Sequence, residues 1–152
     1  MTNVIKQKIL QVNRVTNRDL LFNILTISVL YSGLFASLAK NNNHRLVFIC
    51  CAFIQTMGVF SIFTKNEIGL EVVHLLMGLS ALCIFFFSTS PLVNIYALFI
   101  ICVIFYTRIT FNGCLYYEAN SPNNGMWIPE QTANNILLLV IILQMLKIYY
   151  YI

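Results

Sequence analysis

Charge is what this chain has least of. Asp, Glu, Lys and Arg together make up 9% of its 152 residues, against roughly a quarter in an ordinary globular domain. So few charges cannot cover the surface of a single water-soluble domain of this length. Several motifs are absent as well. There is no Cys-x-x-Cys, and the cysteine count of five is odd, so neither a redox pair nor a disulfide framework is indicated. No Asn-x-Ser/Thr acceptor occurs, which fits poorly with a dedicated extracellular domain. A Gly-rich phosphate loop, a His-Glu-x-x-His helix and a potassium-filter sequence are all missing, and with them the commonest signatures of nucleotide, zinc-hydrolase and channel chemistry. Residue-by-residue alternation is missing too, which argues against a membrane β-barrel. The basic amino-terminal stretch holds no aromatic residue, so nucleic acid is not expected as a partner.

What is present is oil. Hydrophobic residues reach 59% and net charge is +4, with a mean hydropathy of +0.80. Five apolar runs can be read along the chain, at about 20–39, 46–64, 71–88, 91–108 and 136–152. A hydrocarbon core of roughly 30 Å needs about 20 helical residues. The first two runs meet that length alone; the others reach it with polar flanks. The expected fold is therefore all-α: an integral membrane helical bundle of five transmembrane helices. The alternative is four, with the last run on the membrane surface, because that run is seventeen residues long and contains Lys147. Residues 1–19 form a basic amino-terminal arm and residues 20–152 the transmembrane domain.

The connections set the topology. Only "TSP" separates the third and fourth runs. Ser90 suits an N-cap, and Pro91 suits the first helical position, where its missing N–H costs nothing. These two spans should form a tight antiparallel hairpin. With five spans, Lys6, Lys8, Arg14, Arg18, Lys65 and Arg108 gather on one side; Lys40 and Arg45 fall on the other, joined by Lys147 if it snorkels outward. The positive-inside rule then puts the amino terminus on the cytoplasmic (inner) side. Trp127 and the tyrosines at 116, 117 and 149–151 suit the interfacial belt.

Each span also carries small or polar residues at helical spacing. In the first these are Asn23, Thr26, Gly33 and Ser37; in the second, Cys51, Gln55 and Gly58; in the third, Glu71, His74, Gly78, Ala81 and Ser88; in the fourth, Asn94, Ala97, Arg108 and Asn112; in the fifth, Gln144, Lys147 and Tyr151. Such stripes are expected to face the bundle interior, because lipid gives helices no hydrophobic reason to associate.

The block "FYTRITFNGCLYYEAN" (105–120) ends the fourth run abruptly. With the hairpin turn near residue 90, positions summing to about 180 share a depth. That brings Glu71, His74, Tyr106, Arg108, Asn112, Cys114 and Glu118 to one end of spans three and four as a candidate polar cluster. An ionisable group at membrane depth is a functional candidate, but an interfacial Arg that snorkels or pairs with Glu71 is ordinary anchoring. His44, the only other histidine, belongs to the opposite side, so a two-histidine metal or haem site is not expected. Catalytic residues, cofactors and metals are assigned to none.

The segment "RITFNGCLYYE" resembles a block found in small multi-pass membrane proteins of unknown function from bacteria and large DNA viruses: Arg, then Gly-Cys-Leu, then Glu. There the Cys is often followed by Pro-Leu-Thr; here Cys114 is followed by Leu115, Tyr116 and Tyr117. The resemblance covers about eleven residues of 152 and implies no activity. The Asn, Ile, Tyr and Phe bias resembles that of AT-rich viral or organellar genomes. The expected role is structural or in assembly, packing against the lipid bilayer and partner membrane proteins or as a homo-oligomer. The alternatives are an oligomeric small transporter or channel, and a membrane enzyme using the 71–118 cluster.

Overall fold

The computed structural model describes residues 2–111, 114–115 and 130–151. Five helices run through them: α1 (Thr2–Leu38), α2 (Asn42–Phe63), α3 (Glu67–Phe87), α4 (Pro91–Phe111) and α5 (Glu130–Tyr151). No strand occurs among the described residues. Every helix contains a stretch long and apolar enough to cross a membrane: Thr16–Leu38, Asn42–Phe63, Glu67–Phe87, Pro91–Thr110 and Gln131–Tyr151. Large apolar side chains such as Leu30, Phe53, Phe60, Leu75, Phe87 and Leu146 point outward, which water would penalise and lipid does not. The chain is an integral membrane helical bundle.

The fifth span is a full one. α5 starts at Glu130 rather than at 136 and has 22 residues, roughly 33 Å at 1.5 Å per residue. The four-span alternative is thereby set aside. Hydropathy sees where the oil begins, whereas the helix begins where its first N–H groups find partners. The same holds elsewhere. Asn41 caps α2 by accepting from the Asn43 N–H at 2.8 Å. Asn66 caps α3 by accepting from the Gly69 N–H at 3.0 Å, so the helix starts at Glu67, four residues ahead of the oily run. Ser90 caps α4 through the Val93 N–H at 3.5 Å, as its place before Pro91 implies, and the α3–α4 hairpin turns over residues 88–90.

The α2–α3 corner uses a Schellman turn. Asn66 N–H donates to Ser61 O at 2.8 Å and Lys65 N–H to Ile62 O at 3.1 Å. Lys65 adopts the left-handed conformation (φ 56°) that this turn needs, a position where Gly is the usual occupant.

α1 packs chiefly on α2, α2 also on α3, and α4 on α5, while α3 meets α4 more lightly. Near the 39–41 and 88–90 turns, Phe35, Ala39, Phe48, Cys51, Ile84, Val93, Tyr96 and Ala97 form one core. Towards the other end, Leu21, Leu25, Leu70 and Leu115 form a second.

The interior stripes expected for the second and fourth spans are buried: Cys51, Gln55 and Gly58 on α2, and Asn94, Ala97 and Arg108 on α4. Asn112 lies outside the described residues, and on α5 Gln144 is buried, Lys147 half-buried and Tyr151 exposed. The third span keeps its stripe only in part, with His74, Ala81 and Ser88 half-buried but Glu71 and Gly78 exposed. The stripe expected for the first span does not face inward. Asn23, Gly33 and Ser37 are exposed, and α1 instead turns Leu21, Leu25, Ser28, Ser32 and Phe35 inward. Being small or polar does not by itself turn a residue inward in lipid; it must also fit a partner helix in shape or in hydrogen bonding. A methyl group on Gly58 would lie 2.9 Å from Leu25 Cδ1 and 3.0 Å from Val73 Cγ1, so Leu25 of α1 fits where α2 has no side chain. Gly58→Ala is therefore expected to overpack the α1–α2–α3 junction and destabilise it by about 1–3 kcal/mol. Gly78→Ala, with nothing within 4 Å of the added carbon, should leave stability unchanged or slightly raised. Thermal unfolding midpoints in mild detergent will separate the two.

Candidate functional site

Three polar centres occur among the described residues. The first lies where the sequence places its cluster. α3 positions His74 and the segment after α4 positions Cys114, with His74 Nε2 and Cys114 Sγ 3.6 Å apart. Arg108, buried on α4, lies within electrostatic range of His74. Its Nε donates to Asn134 Oδ1 at 2.9 Å. Asn134, on the first turns of α5, was outside the sequence reading because it sits in polar residues ahead of the oily run. Glu71 is exposed. Tyr106 is 70% exposed, off the side of α4 that carries Arg108. The depth rule levels the two residues, but two positions along a helix amount to about 200° of rotation. Asn112 and Glu118 lie outside the described residues.

The second centre is fully buried and was not singled out as a unit. Gln55 Nε2 donates to the Tyr96 hydroxyl oxygen at 3.2 Å. The Tyr96 hydroxyl and Ser32 Oγ are 2.7 Å apart, and Ser32 Oγ donates to Gln55 Oε1 at 2.8 Å. With the Tyr96 O–H given to Ser32, each member both donates and accepts, and the ring closes. Ser32 Oγ also lies 2.8 Å from Ser28 O, which competes for its one proton. α1, α2 and α4 each supply one member. Gln55 reaches Ser32 because helical side chains lean towards their own amino terminus. Aromatic rings pack around the triad: Phe35 and Phe48 lie 5.6 Å and 5.1 Å from Tyr96, and Tyr31 stacks on it at 5.7 Å. Beside the ring, a cavity of about 30 Å³ between α2, α3 and α4 is lined by Cys51, Ile54, Met77, Ala81, Ile84 and Ile100 among others. The space is partly open and its exposed lining is almost wholly carbon, although Gln55, Ser80 and Tyr96 border it; apolar walls of this kind give water few partners.

The third centre fastens α5. Gln144 Nε2 donates to Asn94 O and Asn94 Oδ1, both at 3.2 Å, and both residues are wholly buried. One turn on, Lys147 Nζ donates to Phe85 O and stands 5.8 Å from the Phe85 ring centre. Phe85 O belongs to the last turn of α3, where carbonyls lack intrahelical partners and a cation is favoured. Lys147 thus closes the carboxyl end of a neighbouring helix. On the same side, His44 Nδ1 contacts Ser90 Oγ at 3.3 Å, at the opposite end of the bundle from His74.

No group of three or more His, Cys, Asp or Glu residues arranged to hold a metal occurs among the described residues. The His74–Cys114 contact brings an imidazole to a buried thiol at the long end of hydrogen-bond distance for sulfur. No known family, curated protein or solved structure matches the chain.

The closed ring makes a thermodynamic prediction. Gln55→Leu, Ser32→Ala and Tyr96→Phe each leave partners unsatisfied in a dry site and should cost about 1–2 kcal/mol apiece. The triple variant leaves no member of the ring behind, so its loss should fall well short of the sum of the three. Denaturation midpoints of the four variants in one detergent test this; strict additivity would mean that the ring does not act as a unit.

Proposed function

We propose that this chain is a membrane-embedded structural or assembly subunit, anchored by five helices and built to pack with lipid and partner membrane proteins. The single observation that carries this reading is how the interior polar groups are used. Ser32, Gln55 and Tyr96 bond to one another, Gln144 bonds to Asn94 and Lys147 to a helix end. Polar groups spent on joining helices serve as glue between them; a transport path would keep them turned to water. The peripheral α5, whose span is the least buried of the five, adds surface for contact with other membrane components.

The amino terminus is on the cytoplasmic side in this reading. Arg18, Lys65 and Arg108 share an end of the bundle with the basic arm, away from Lys40, Arg45 and Lys147. A Lys65→Cys variant should then react with a membrane-impermeant thiol reagent only when the cytoplasmic face is open to it. Reaction from the outer face of sealed cells would reverse the orientation.

The role itself is tested at Cys51, which is buried beside the ring. With the other four cysteines replaced by Ala, Cys51 in native membranes should resist a water-soluble maleimide and react only after denaturation. Native-state modification at a rate near that of a loop cysteine would reveal water in the interior and favour the transporter or channel reading instead.

A further inference from the structure

The His74–Cys114 pair takes no part in the ring that joins α1, α2 and α4, and its placement is fixed by packing around it. Leu115 is buried in a core with Leu21 and Leu25 of α1 and Leu70 of α3. It pins the residues after α4 against those helices and so holds Cys114 Sγ 3.6 Å from His74 Nε2. α3 begins at Glu67, which puts His74 two turns, about 10 Å, into its span. Next to it on α3, Leu75 is 64% exposed, and a carbon added to Gly78 would meet no atom within 4 Å. A thiol and a base therefore meet at the shallow edge of the hydrocarbon, beside a helix side that lipid reaches.

A thiol set against an imidazole is a nucleophile with its base. The long contact is the loose geometry such pairs show before an electrophile arrives. In the tautomer that carries its proton on Nδ1, His74 Nε2 accepts the thiol proton. Arg108 lies buried on α4, within electrostatic range of His74. Two cations side by side repel, so a proton gained by His74 passes on to the leaving group. The electrophile must bring its reactive carbon to the membrane edge while the rest of it rests in oil. A fatty acyl chain does this. Exchange between a thiol and a thioester is nearly balanced in free energy, whereas an oxygen ester holds its acyl group more tightly. The fitting donor is a long-chain acyl thioester.

We propose that Cys114 is a self-acylating cysteine: with His74 as its base, its thiol takes a long-chain acyl group from an acyl thioester at the membrane edge. Sγ bonds to the acyl carbon as the donor's own carbon–sulfur bond breaks. The thiol proton moves to His74 Nε2 and from there to the departing thiolate. A donor thioester and a Cys114 thiol thus become a Cys114 thioester and a free thiol, with nothing oxidised or reduced. The added chain lies along the lipid-facing side of α3 and gives this end of the bundle a further anchor. A chain fixed there serves a structural subunit and a transporter alike, so the outcome is independent of the function proposed above.

The test uses the full chain in mild-detergent micelles, where both ends of the bundle are open to solvent, with palmitoyl coenzyme A as donor. Two single-cysteine forms are compared. One keeps Cys114 and has the other four cysteines replaced by Ala. The other has all five replaced and carries Tyr106→Cys, at the level of His74 on a side chain that is 70% exposed. Exposure alone favours position 106; contact with His74 favours 114. Cys114 should form a hydroxylamine-sensitive thioester about tenfold faster or more. Adding His74→Gln should remove that advantage and leave the Tyr106→Cys rate unchanged, with an unaltered thermal midpoint showing that the fold is kept. The comparison of the two positions stands even where the His74 variant does not fold. Equal rates, faster reaction at position 106, or a Cys114 rate that survives His74→Gln in the folded chain would overturn the proposal. Acetyl coenzyme A, whose chain is too short to rest in oil, should acylate Cys114 far more slowly; an equal rate would overturn the long-chain donor.

Discussion

Three hydrogen bonds at one depth hold the bundle's arrangement. Ser32, Gln55 and Tyr96 come from three helices that are not all neighbours in the chain, and their ring closes only when α1, α2 and α4 are all in register. In lipid, apolar contact does not distinguish a correct helix pair from an incorrect one, because the tails are as apolar as leucine. A buried donor or acceptor does make that distinction, since an unmet polar group has no water to turn to. The aromatic side chains around Tyr96 follow from this placement. They fill the space between helices whose separation the ring has already set, and they keep the site dry, which strengthens each hydrogen bond in it.

The rest of the structure attaches to this core through its ends. Arg18 on α1 reaches Glu67 at the start of α3, 3.4 Å away, and Arg45 donates to Ala39 O at 3.2 Å just beyond α1. Lys147 closes the end of α3. Glu67 lies in the first turn of α3, and Arg45 and Lys147 donate to carbonyls at or just beyond the carboxyl ends of α1 and α3, where the backbone leaves unpaired groups and a formal charge of the right sign is stabilising. α5 is the extreme case. It buries little of its span and is held to α4 by polar contacts near both ends, Arg108 with Asn134 and Asn94 with Gln144. A peripheral helix fastened in this way keeps most of its apolar surface for whatever surrounds it.

Much of the fold was legible in the residues because the signals were local. Runs of oil, the Ser-Pro start of α4 and the short "TSP" turn are read without knowing any neighbour. The helix starts were less legible, because Glu67 and Glu130 are polar residues ahead of the oily window, and the start of α3 is set by the Asn66 cap rather than by hydropathy. The candidate cluster was legible in depth and not in rotation. His74 and Cys114 meet as their levels imply, whereas Tyr106 turns away from Arg108, because neither residue's azimuth is contained in a depth rule. The buried triad escaped notice because Ser32, Gln55 and Tyr96 are individually ordinary, and only their convergence gives them a role.

Composition, run length and the short Ser-Pro turn determined that this is a helical membrane bundle with a tight α3–α4 hairpin, because the cost of exposing backbone and charge to hydrocarbon leaves few alternatives for such a chain; that the last run makes a full fifth helix was decided by the structure. Which face of each helix turns inward was decided only in three dimensions. α1 shows this most plainly: its small and polar stripe looks interior by sequence, yet Leu21 and Leu25 are buried on the inner face, and Leu25 packs where Gly58 on α2 leaves it room. In a solvent that does not reward hiding apolar surface, complementarity of shape and the closure of hydrogen bonds choose the face, and both belong to pairs of helices and not to any one of them.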